Sequence, residues 1–365
     1  MFKFMSYSLC FVVLSCTPSG GEDSAPVVEI DRQETLALYA DDVIIPAYET
    51  FNQKALALDE QAQNFCAVVS EQGFADLKST WEAAMLAWSA TEVHNFGPAM
   101  TLRLDSSIYF WPSRPNRIED FISAGDLSYE AVKSGSSLIK GLSVLEYLIY
   151  GYKDNANTFA SFEDEGRCTY LQSLAKLLLE DSASLLSAWQ PENGNFRDEF
   201  ALAGNGSASY SRQKQALDAM VNEMIQLTQT VEGVKLARPL GKRSSGTPKP
   251  EEVESAYAGI SKAIIATNLE SLKIAFQGGS EKKIHSLADI IASENNDLWL
   301  DLQNELQASE LLLKSSEDSL ATDVVLKTEL TEQTFSQVKG LLNLLASDVA
   351  SILGVTPTFS DNDGD

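Results

Sequence analysis

One apolar segment carries the residues whose types and spacing could support chemistry. It runs from Gly141 to Gly151 and reads Gly-Leu-Ser-Val-Leu-Glu-Tyr-Leu-Ile-Tyr-Gly. Ser143 and Glu146 are three residues apart, so on a helix they share one face and could contact the same ligand. Because the neighbours of Glu146 are apolar, we expect its carboxylate to be buried and to need a partner. Glu146 is the candidate metal ligand of this chain.

The sequence leaves two interpretations of Glu146 open. In the structural interpretation, the carboxylate pairs with a nearby arginine, and Arg103 and Arg117 are the candidates. In the functional interpretation, Glu146 contacts a ligand, with Ser143, Glu92 and Arg117 lining the same binding site. The residue types and their spacing support the structural and the functional interpretation equally.

Most catalytic signatures are missing from the sequence. It has no Gly-rich phosphate loop, no Gly-x-Ser-x-Gly elbow and no His-Glu-x-x-His motif. Only two histidines are present, His94 and His285, so a three-histidine metal site is excluded. Glu92 and His94 are two residues apart and would point to different faces of a helix, which favours a helix-end role for His94. We therefore assign no catalytic residue.

The elements that must position these residues are helices. Leu171, Leu174 and Leu178 illustrate the apolar spacing of three and four that recurs along the chain and predicts amphipathic helices. Proline and glycine interrupt residues 95–133, which we expect to be irregular. No alternating run is long enough for a sheet, so the prediction is an all-α protein with two helical bundles. The helices are expected near residues 34–59, 74–94, 134–150, 171–189, 217–231, 253–276, 284–314 and 321–353.

The two ends of the chain differ from the helical part in composition. A basic start and a short apolar run end in Val-Leu-Ser-Cys at Cys16, which resembles the lipobox of bacterial lipoproteins. An ordinary cleaved signal peptide is the alternative. The predicted parts are a lipoprotein signal (1–16), a flexible tether (17–31), an N-terminal helical domain (32–158), a C-terminal bundle (159–356) and a disordered acidic tail (357–365). Lipidation of Cys16 and a threonine at position 17 favour the outer membrane as the destination.

Charge and cysteine usage narrow the partners further. Lys and Arg number 27 against 52 Asp and Glu, a net charge of −25, which excludes nucleic acid as a partner. Of the four cysteines, Cys10 leaves with the signal and Cys16 takes the lipid. Cys66 and Cys168 remain as an even pair, and in an oxidising compartment we expect them to form a disulfide.

An ordered set of segments resembles the imelysin-like family, the peptidase M75 group. The Gly141–Gly151 segment resembles its Gly-x-His-x-x-Glu motif and the apolar run that follows. The other matching segments follow in the family's order along most of residues 30–355: Trp81–Glu92, Phe96-Gly97-Pro98, Tyr109–Pro112, Arg117-Ile118, Pro239-Leu240-Gly241, Val253–Tyr257 and Asn268-Leu269.

The resemblance implies two helical bundles, an exported or surface location, and an association with bacterial iron uptake. It also implies a metallopeptidase activity, from which the family takes its name. This chain departs from the motif where the family has histidine, because Ser143 stands there. A neutral hydroxyl is a poor ligand for a transition metal, and Glu146 alone cannot supply the three protein ligands of a hydrolytic zinc site.

Three functional hypotheses follow. The leading one is a non-catalytic, lipid-anchored protein that contributes to iron or haem acquisition by binding a metal, a metal complex or a surface partner. Its cofactor is not identified by the sequence, and iron or another divalent cation is the candidate. The alternatives are a metallopeptidase of the M75 type and a cell-surface scaffold that binds another protein.

Overall fold

Helices account for every regular element of residues 32–151 and 154–358, the part of the chain that this computed structural model describes. The all-α prediction is confirmed. The predicted signal, tether and Cys16 lipidation site, and residues 359–365 of the predicted tail, lie outside the described residues. None of the described helices is both long and apolar enough to span a membrane.

The α-helices are, in chain order, α1 (Gln33–Tyr39), α2 (Ile45–Ala67), α3 (Glu71–Thr91), α4 (Pro98–Thr101), α5 (Leu104–Ile108), α6 (Pro115–Ala124), α7 (Tyr129–Ser134), α8 (Leu142–Glu146), α9 (Asn155–Ala160), α10 (Glu165–Trp189), α11 (Phe196–Ala201), α12 (Gln213–Thr230), α13 (Ser261–Gln277), α14 (Leu287–Glu294), α15 (Asn296–Lys314), α16 (Leu320–Leu326), α17 (Thr328–Leu344) and α18 (Ala350–Leu353). Four π-helical segments continue neighbouring helices: Ala40–Ile44, Tyr147–Gly151, Val231–Leu236 and Leu345–Val349. Short 3₁₀ turns lie at Glu92–His94, Ser137–Ile139, Ser161–Glu163 and Pro250–Glu252.

The long helices pack in a continuous series. α2 lies between α3 and α10, α3 also packs on α13, and α13 packs on α15, which in turn packs on α17. Cys66 near the end of α2 and Cys168 near the start of α10 form a disulfide with their Cα atoms 5.5 Å apart. The buried side chains of these helices belong to one hydrophobic cluster. The predicted division at residues 158 and 159 stays a prediction.

Several predicted helices are shorter or more broken than the apolar spacing indicates. Of the predicted helix 134–150, only α8 and the π segment after it form a continuous helical element. Asn295 divides the predicted helix 284–314, because its side chain accepts a hydrogen bond from Leu298 N and caps α15. Lys327 divides the predicted helix 321–353, between α16 and α17.

The predicted helix 253–276 is wrong in its first third. Residues 253–259 form turns, and the helix begins only at Ser261. Ser255 has a φ of 50°, in the left-handed region that a helix cannot contain. Val253, Tyr257 and Ile260 therefore have the apolar spacing of a helix without forming one. The turn at residues 253–259 instead contacts Glu146.

Residues 95–133 contain short helices joined by turns, and they do not form one long element. Arg103 has a φ of 55° at the start of α5, and Gly97 has a φ of 57° before α4. Each of these backbone conformations changes the direction of the chain before the next short helix begins. This segment places Tyr109 and Trp111 beside the C-terminal part of α12, where the chain has its main cleft.

Candidate functional site

Glu146 ends α8 and is almost completely buried, with 2% of its surface exposed. Its Oε1 atom accepts three hydrogen bonds from the 253–259 turn: from Ser255 Oγ at 3.0 Å, from Tyr257 N at 3.1 Å and from Ala258 N at 3.0 Å. Burial raises the pKa of Glu146 to about 7, although the bonds from Ala258, Ser255 and Tyr257 oppose the rise. The carboxylate therefore fastens the turn to α8.

The two other motif residues hold the irregular segment. Ser143 is buried, and its hydroxyl donates to the carbonyl oxygen of Phe110 at 2.6 Å. Gly141 has a φ of 85°, and a Cβ at this position would lie 2.6 Å from the carbonyl oxygen of Ile108 and 2.8 Å from that of Ser107. Only glycine allows the backbone of α8 to approach this closely. Gly141, Ser143 and Glu146 thus join α8 to two distant segments.

The arginines that the sequence offers as partners of Glu146 lie elsewhere. Arg103 and Arg117 are both exposed, and neither forms a hydrogen bond or ion pair with Glu146 in the described part of the chain. The arginine pairing, one of the two interpretations that the sequence leaves open, does not occur among the described residues, because backbone N–H groups and a hydroxyl supply the donors instead. Since Glu146 and Ser143 are buried and Arg117 is exposed, the predicted binding set does not form one surface.

Glu92 belongs to a second buried network, centred on Lys235. The Lys235 ammonium lies 3.0 Å from Glu92 Oε2 and 3.0 Å from Glu254 Oε2, and it donates to Asn268 Oδ1 at 2.7 Å. Asn268 Nδ2 donates to Glu92 Oε2 at 2.7 Å, and the Tyr109 hydroxyl donates to Glu254 Oε1 at 3.0 Å. Segments far apart in the chain thus converge on one ammonium group.

Electrostatics keep this network charged at its centre. Burial lowers the pKa of Lys235, but the carboxylates of Glu254 and Glu92 outweigh burial, and the net result is a raised pKa. Burial and the neighbouring Glu254 raise the pKa of the Tyr109 phenol well above its ordinary value. Lys235 is therefore an ammonium and Tyr109 a neutral donor over the physiological pH range.

Glu254 connects the two networks. It follows Val253 at the start of the turn that Glu146 fastens, and its charge contributes to the raised pKa of Glu146. Glu254 lies in the turn and pairs with Lys235. Glu146 lies in α8 and accepts its hydrogen bonds from the same turn.

A cleft runs along the second network and consists of three adjoining cavities. Their volumes are about 360, 290 and 800 Å³, and Thr230 lines all three. One wall is a single helix face, because Gln226, Thr230, Val234 and Arg238 recur at intervals of four. The π segment Val231–Leu236 lies in this wall, and π segments in helices are frequent at functional sites.

The cleft changes charge along its length. Glu223, Asp105 and Glu92 line the first cavity, and burial followed by the charge of Asp105 raises the pKa of Glu223 to about 7. The Lys235–Glu254 pair lines the middle cavity. The largest cavity carries four cationic side chains, Arg114, Arg238, Arg243 and Lys249, with Trp111 beside them.

These residues do not fit a transition-metal centre. Among the described residues, no three His, Cys, Asp or Glu side chains are grouped so that they could hold a metal ion. The Oε1 atom of Glu146 already accepts three hydrogen bonds, and the position between Glu92 and Glu254 is taken by the ammonium of Lys235. His94 is buried against Tyr39, and burial lowers its pKa to about 3, so it is a neutral core residue.

Sequence reasoning missed Lys235, Glu254 and the cationic end of the cleft. One signal was available, because Lys235 lies four residues after Val231, in line with the apolar face of the predicted helix 217–231, and an ionisable side chain there needs a buried partner. The identity of that partner was not readable, since Glu92 is 143 residues away in the chain.

Fold and site together define an all-α protein with a polar, charge-graded cleft along one helix and an irregular segment. Residues 44–347 match the model of the imelysin family, peptidase M75. The match covers most of the chain, so this protein belongs to the imelysin family.

Solved structures similar to it include two bacterial proteins. One is described as an iron-regulated protein A precursor from Parabacteroides distasonis ATCC 8503, with a TM-score of 0.79, 21% identity, and coverage of 88% of this chain and 95% of that chain. The other is an imelysin-like protein from Psychrobacter arcticum 273-4, with a TM-score of 0.75, 23% identity, and coverage of 90% and 97% respectively. No curated protein matches the chain.

Proposed function

We propose that this protein is a lipid-anchored, non-catalytic member of the imelysin family that contributes to iron or haem acquisition by binding an iron complex in its cleft. The observation that carries the proposal is the position of Lys235. Its ammonium lies between Glu92 and Glu254, 3.0 Å from each, and neutralises the carboxylates that a bare metal ion would need. A complexed ion brings its own ligands and needs only a shaped, polar surface.

The cleft offers such a surface. Its largest cavity, about 800 Å³, is within the range of small-molecule sites, and it combines cationic, neutral polar and aromatic side chains. The solved relative described as an iron-regulated protein A precursor supports the iron association and the export of this chain. The sequence around Cys16 supports a lipid anchor, and Thr17 supports the outer membrane as its destination.

The absence of a histidine at position 143 supports a non-catalytic role. Hydrolytic zinc sites use three protein ligands and keep one position open for water. Ser143 donates to Phe110 O, and Oε1 of Glu146 accepts from the turn at residues 255–258, so both side chains already make structural contacts. The cleft itself is lined by different residues.

A cleft-filling substitution tests the proposal. Thr230 lines all three cavities, so Thr230→Trp places an indole across the cleft. Thr50 is an exposed helical residue outside these cavities, and Thr50→Trp is the matched control. In calorimetric titration of residues 17–365, we expect ferric citrate or haemin to bind the wild type and Thr50→Trp, with loss of at least tenfold in affinity for Thr230→Trp.

Two results would overturn the proposal. One is the failure of every iron complex to bind the folded wild-type protein, which would favour a protein-binding scaffold. The other is metal-dependent cleavage of a peptide library by the same preparation, which would restore the metallopeptidase hypothesis. Circular dichroism of each variant separates loss of binding from loss of folding.

A further inference from the structure

The basic end of the cleft opposes the charge of the whole molecule. The chain has a net charge of −25, yet the largest cavity is lined by Arg114, Arg238, Arg243 and Lys249 against Glu251 and Glu252. Arg114 comes from the irregular segment, whereas Arg238, Arg243 and Lys249 come from one later stretch, so the fold brings two separate parts of the chain together. A concentrated positive lining in an acidic protein attracts anions to that part of the surface.

Two of the four cations have no side-chain partner among the residues that the structure describes. Lys249 lies 2.9 Å from Glu252, and Arg243 lies 3.9 Å from Glu232. Arg114 and Arg238 form no side-chain hydrogen bond or ion pair with any described residue, although Arg238 is half-buried. A half-buried guanidinium without a carboxylate partner is a ready site for a ligand anion, because its planar donors match a carboxylate with two parallel hydrogen bonds.

Arg243 is also positioned by the helix wall. A Cβ atom at Gly233 would lie 2.5 Å from Nη2 of Arg243, so the missing side chain lets the guanidinium lie across the π segment. The helix thus presents Arg238 from its own face and accommodates Arg243 from the following loop. Together with Arg114 on the opposite wall, the cavity offers charge from more than one direction.

We infer that the basic end of the cleft binds the carboxylate groups of a small polycarboxylate, with Arg238 and Arg114 as the principal contacts. The hydroxyl and amide groups of Thr230, Ser244 and Gln226 on the cavity walls suit the oxygen atoms of such a ligand. Glu251 and Glu252 on the lining, and the acidic remainder of the chain, oppose a densely charged polyphosphate.

The inference rests on the proposed function in one respect, which is that the polycarboxylate is the chelator of the bound iron complex. Carboxylate oxygens are the ligands that hard cations prefer, so one molecule can bind the metal and still present oxygen atoms to guanidinium groups. The recognition of the chelator by arginine needs no metal and can be measured without one.

The test uses metal-free ligands on residues 17–365 of the chain. Calorimetric titrations compare citrate, acetate and inorganic phosphate at constant ionic strength, for the wild type, Arg238→Gln, Arg114→Gln and the control Arg117→Gln. Arg117 is exposed, outside the cavity and equally without an ion pair in the described residues. We expect citrate to bind the wild type and the control, and loss of one bidentate contact to weaken binding roughly tenfold in Arg238→Gln.

Unchanged citrate affinity in both cavity variants would overturn the inference, and so would phosphate binding as tight as that of citrate. The proposed function fails separately. If an iron complex binds and Thr230→Trp removes that binding while Arg238→Gln and Arg114→Gln do not, the inference falls and the function stands. If metal-free citrate binds through Arg238 but no iron complex does, the function falls and the carboxylate site stands.

Discussion

At the scale of single residues, Glu146 has a structural partner set that explains its burial. Three donors from residues 255–258 converge on one carboxylate oxygen, and no arginine takes part in this arrangement. The turn that supplies them cannot be a helix, because Ser255 has a φ of 50° and its neighbours turn their N–H groups towards α8. In this chain, the glutamate of the family motif holds the 253–259 turn against α8.

The pH dependence of stability tests this role. The pKa of Glu146 is raised from 4.5 to about 7 in the folded protein, so the folded state binds the proton more tightly than the unfolded chain does. The stabilising contribution is fully present below pH 4.5 and is lost as the pH rises through 7. Over this window we expect the wild type to lose roughly 3 kcal/mol of unfolding free energy through Glu146.

Glu146→Gln keeps an oxygen acceptor for the turn but does not titrate. Urea unfolding at intervals from pH 4.5 to 8 should therefore give a flatter curve for the variant, and the difference between the curves isolates Glu146 from Glu223, whose pKa is also raised to about 7. Parallel curves for the two proteins would show that Glu146 does not titrate in this range.

At the scale of elements, the motif segment is a junction between three parts of the chain. α8 contacts residues 107–110 through Gly141 and Ser143, and it contacts the 253–259 turn through Glu146. The irregular segment and the turn both line the cleft, through Tyr109 and Glu254. The motif segment therefore positions the walls of the cleft but does not line it.

Gly141 and Gly125 share a φ of 85°, but only Gly141 combines a close backbone approach with a ψ of −177°, a region that other residues scarcely adopt, whereas Gly125 has a ψ of −14°. In Gly141→Ala, the new Cβ would lie 2.6 Å from a backbone oxygen that cannot move aside, whereas in Gly125→Ala it would meet nothing within 4 Å. We expect Gly141→Ala to lower the unfolding free energy by about 3 kcal/mol and Gly125→Ala by about 1 kcal/mol. Equal losses in urea unfolding would mean that neither the close approach nor the backbone conformation at Gly141 requires glycine more than the turn at Gly125 does.

Sequence patterns correctly predicted the helices whose backbone hydrogen bonds are not replaced by tertiary contacts. The leucine spacing from Leu171 to Leu178 predicted a helix, and α10 contains all of it, because a long amphipathic helix needs only one apolar partner surface. The apolar spacing around Tyr257 predicted a helix wrongly. The N–H groups of that segment donate to a buried carboxylate more than a hundred residues away in the chain. Local periodicity carries no information about such a partner.

The candidate site was less predictable than the fold, for the same reason. Glu92 was singled out, but its contacts with Lys235 and Asn268 depend on how α3, α13 and the π segment meet in space. The cationic lining is assembled from Arg114 and from residues after 237, and their charges are unremarkable when read singly along the chain. The net charge of the chain excludes a class of partner, but the local concentration of cations in the cleft is visible only after folding.

At the scale of the whole molecule, the disulfide joins the first long helix to the helix that begins the predicted second domain. Cys66 and Cys168 are separated by 102 residues, so the bond restricts a long stretch of the unfolded chain. By the loop-entropy relation, a bond closing a loop of this size stabilises the folded state by about 5 kcal/mol, and measured values are often lower.

The double variant Cys66→Ser/Cys168→Ser tests this contribution. We expect its unfolding free energy in urea to be lower by about 2–4 kcal/mol, and to be insensitive to added reductant, whereas the wild type should approach the variant when reduced. A wild type that is equally stable with and without reductant would contradict the expectation.

The most direct test of the account is one set of binding titrations on residues 17–365, with wild type, Glu146→Gln and Thr230→Trp measured side by side. The ligands are ferric citrate, haemin, and the bare ions of ferric and ferrous iron, zinc and calcium. We predict that an iron complex binds the wild type and Glu146→Gln with similar affinity and that Thr230→Trp loses it, because Thr230 lines the cleft and Glu146 does not. Saturable binding of a bare ion that Glu146→Gln abolishes and Thr230→Trp retains would contradict this account.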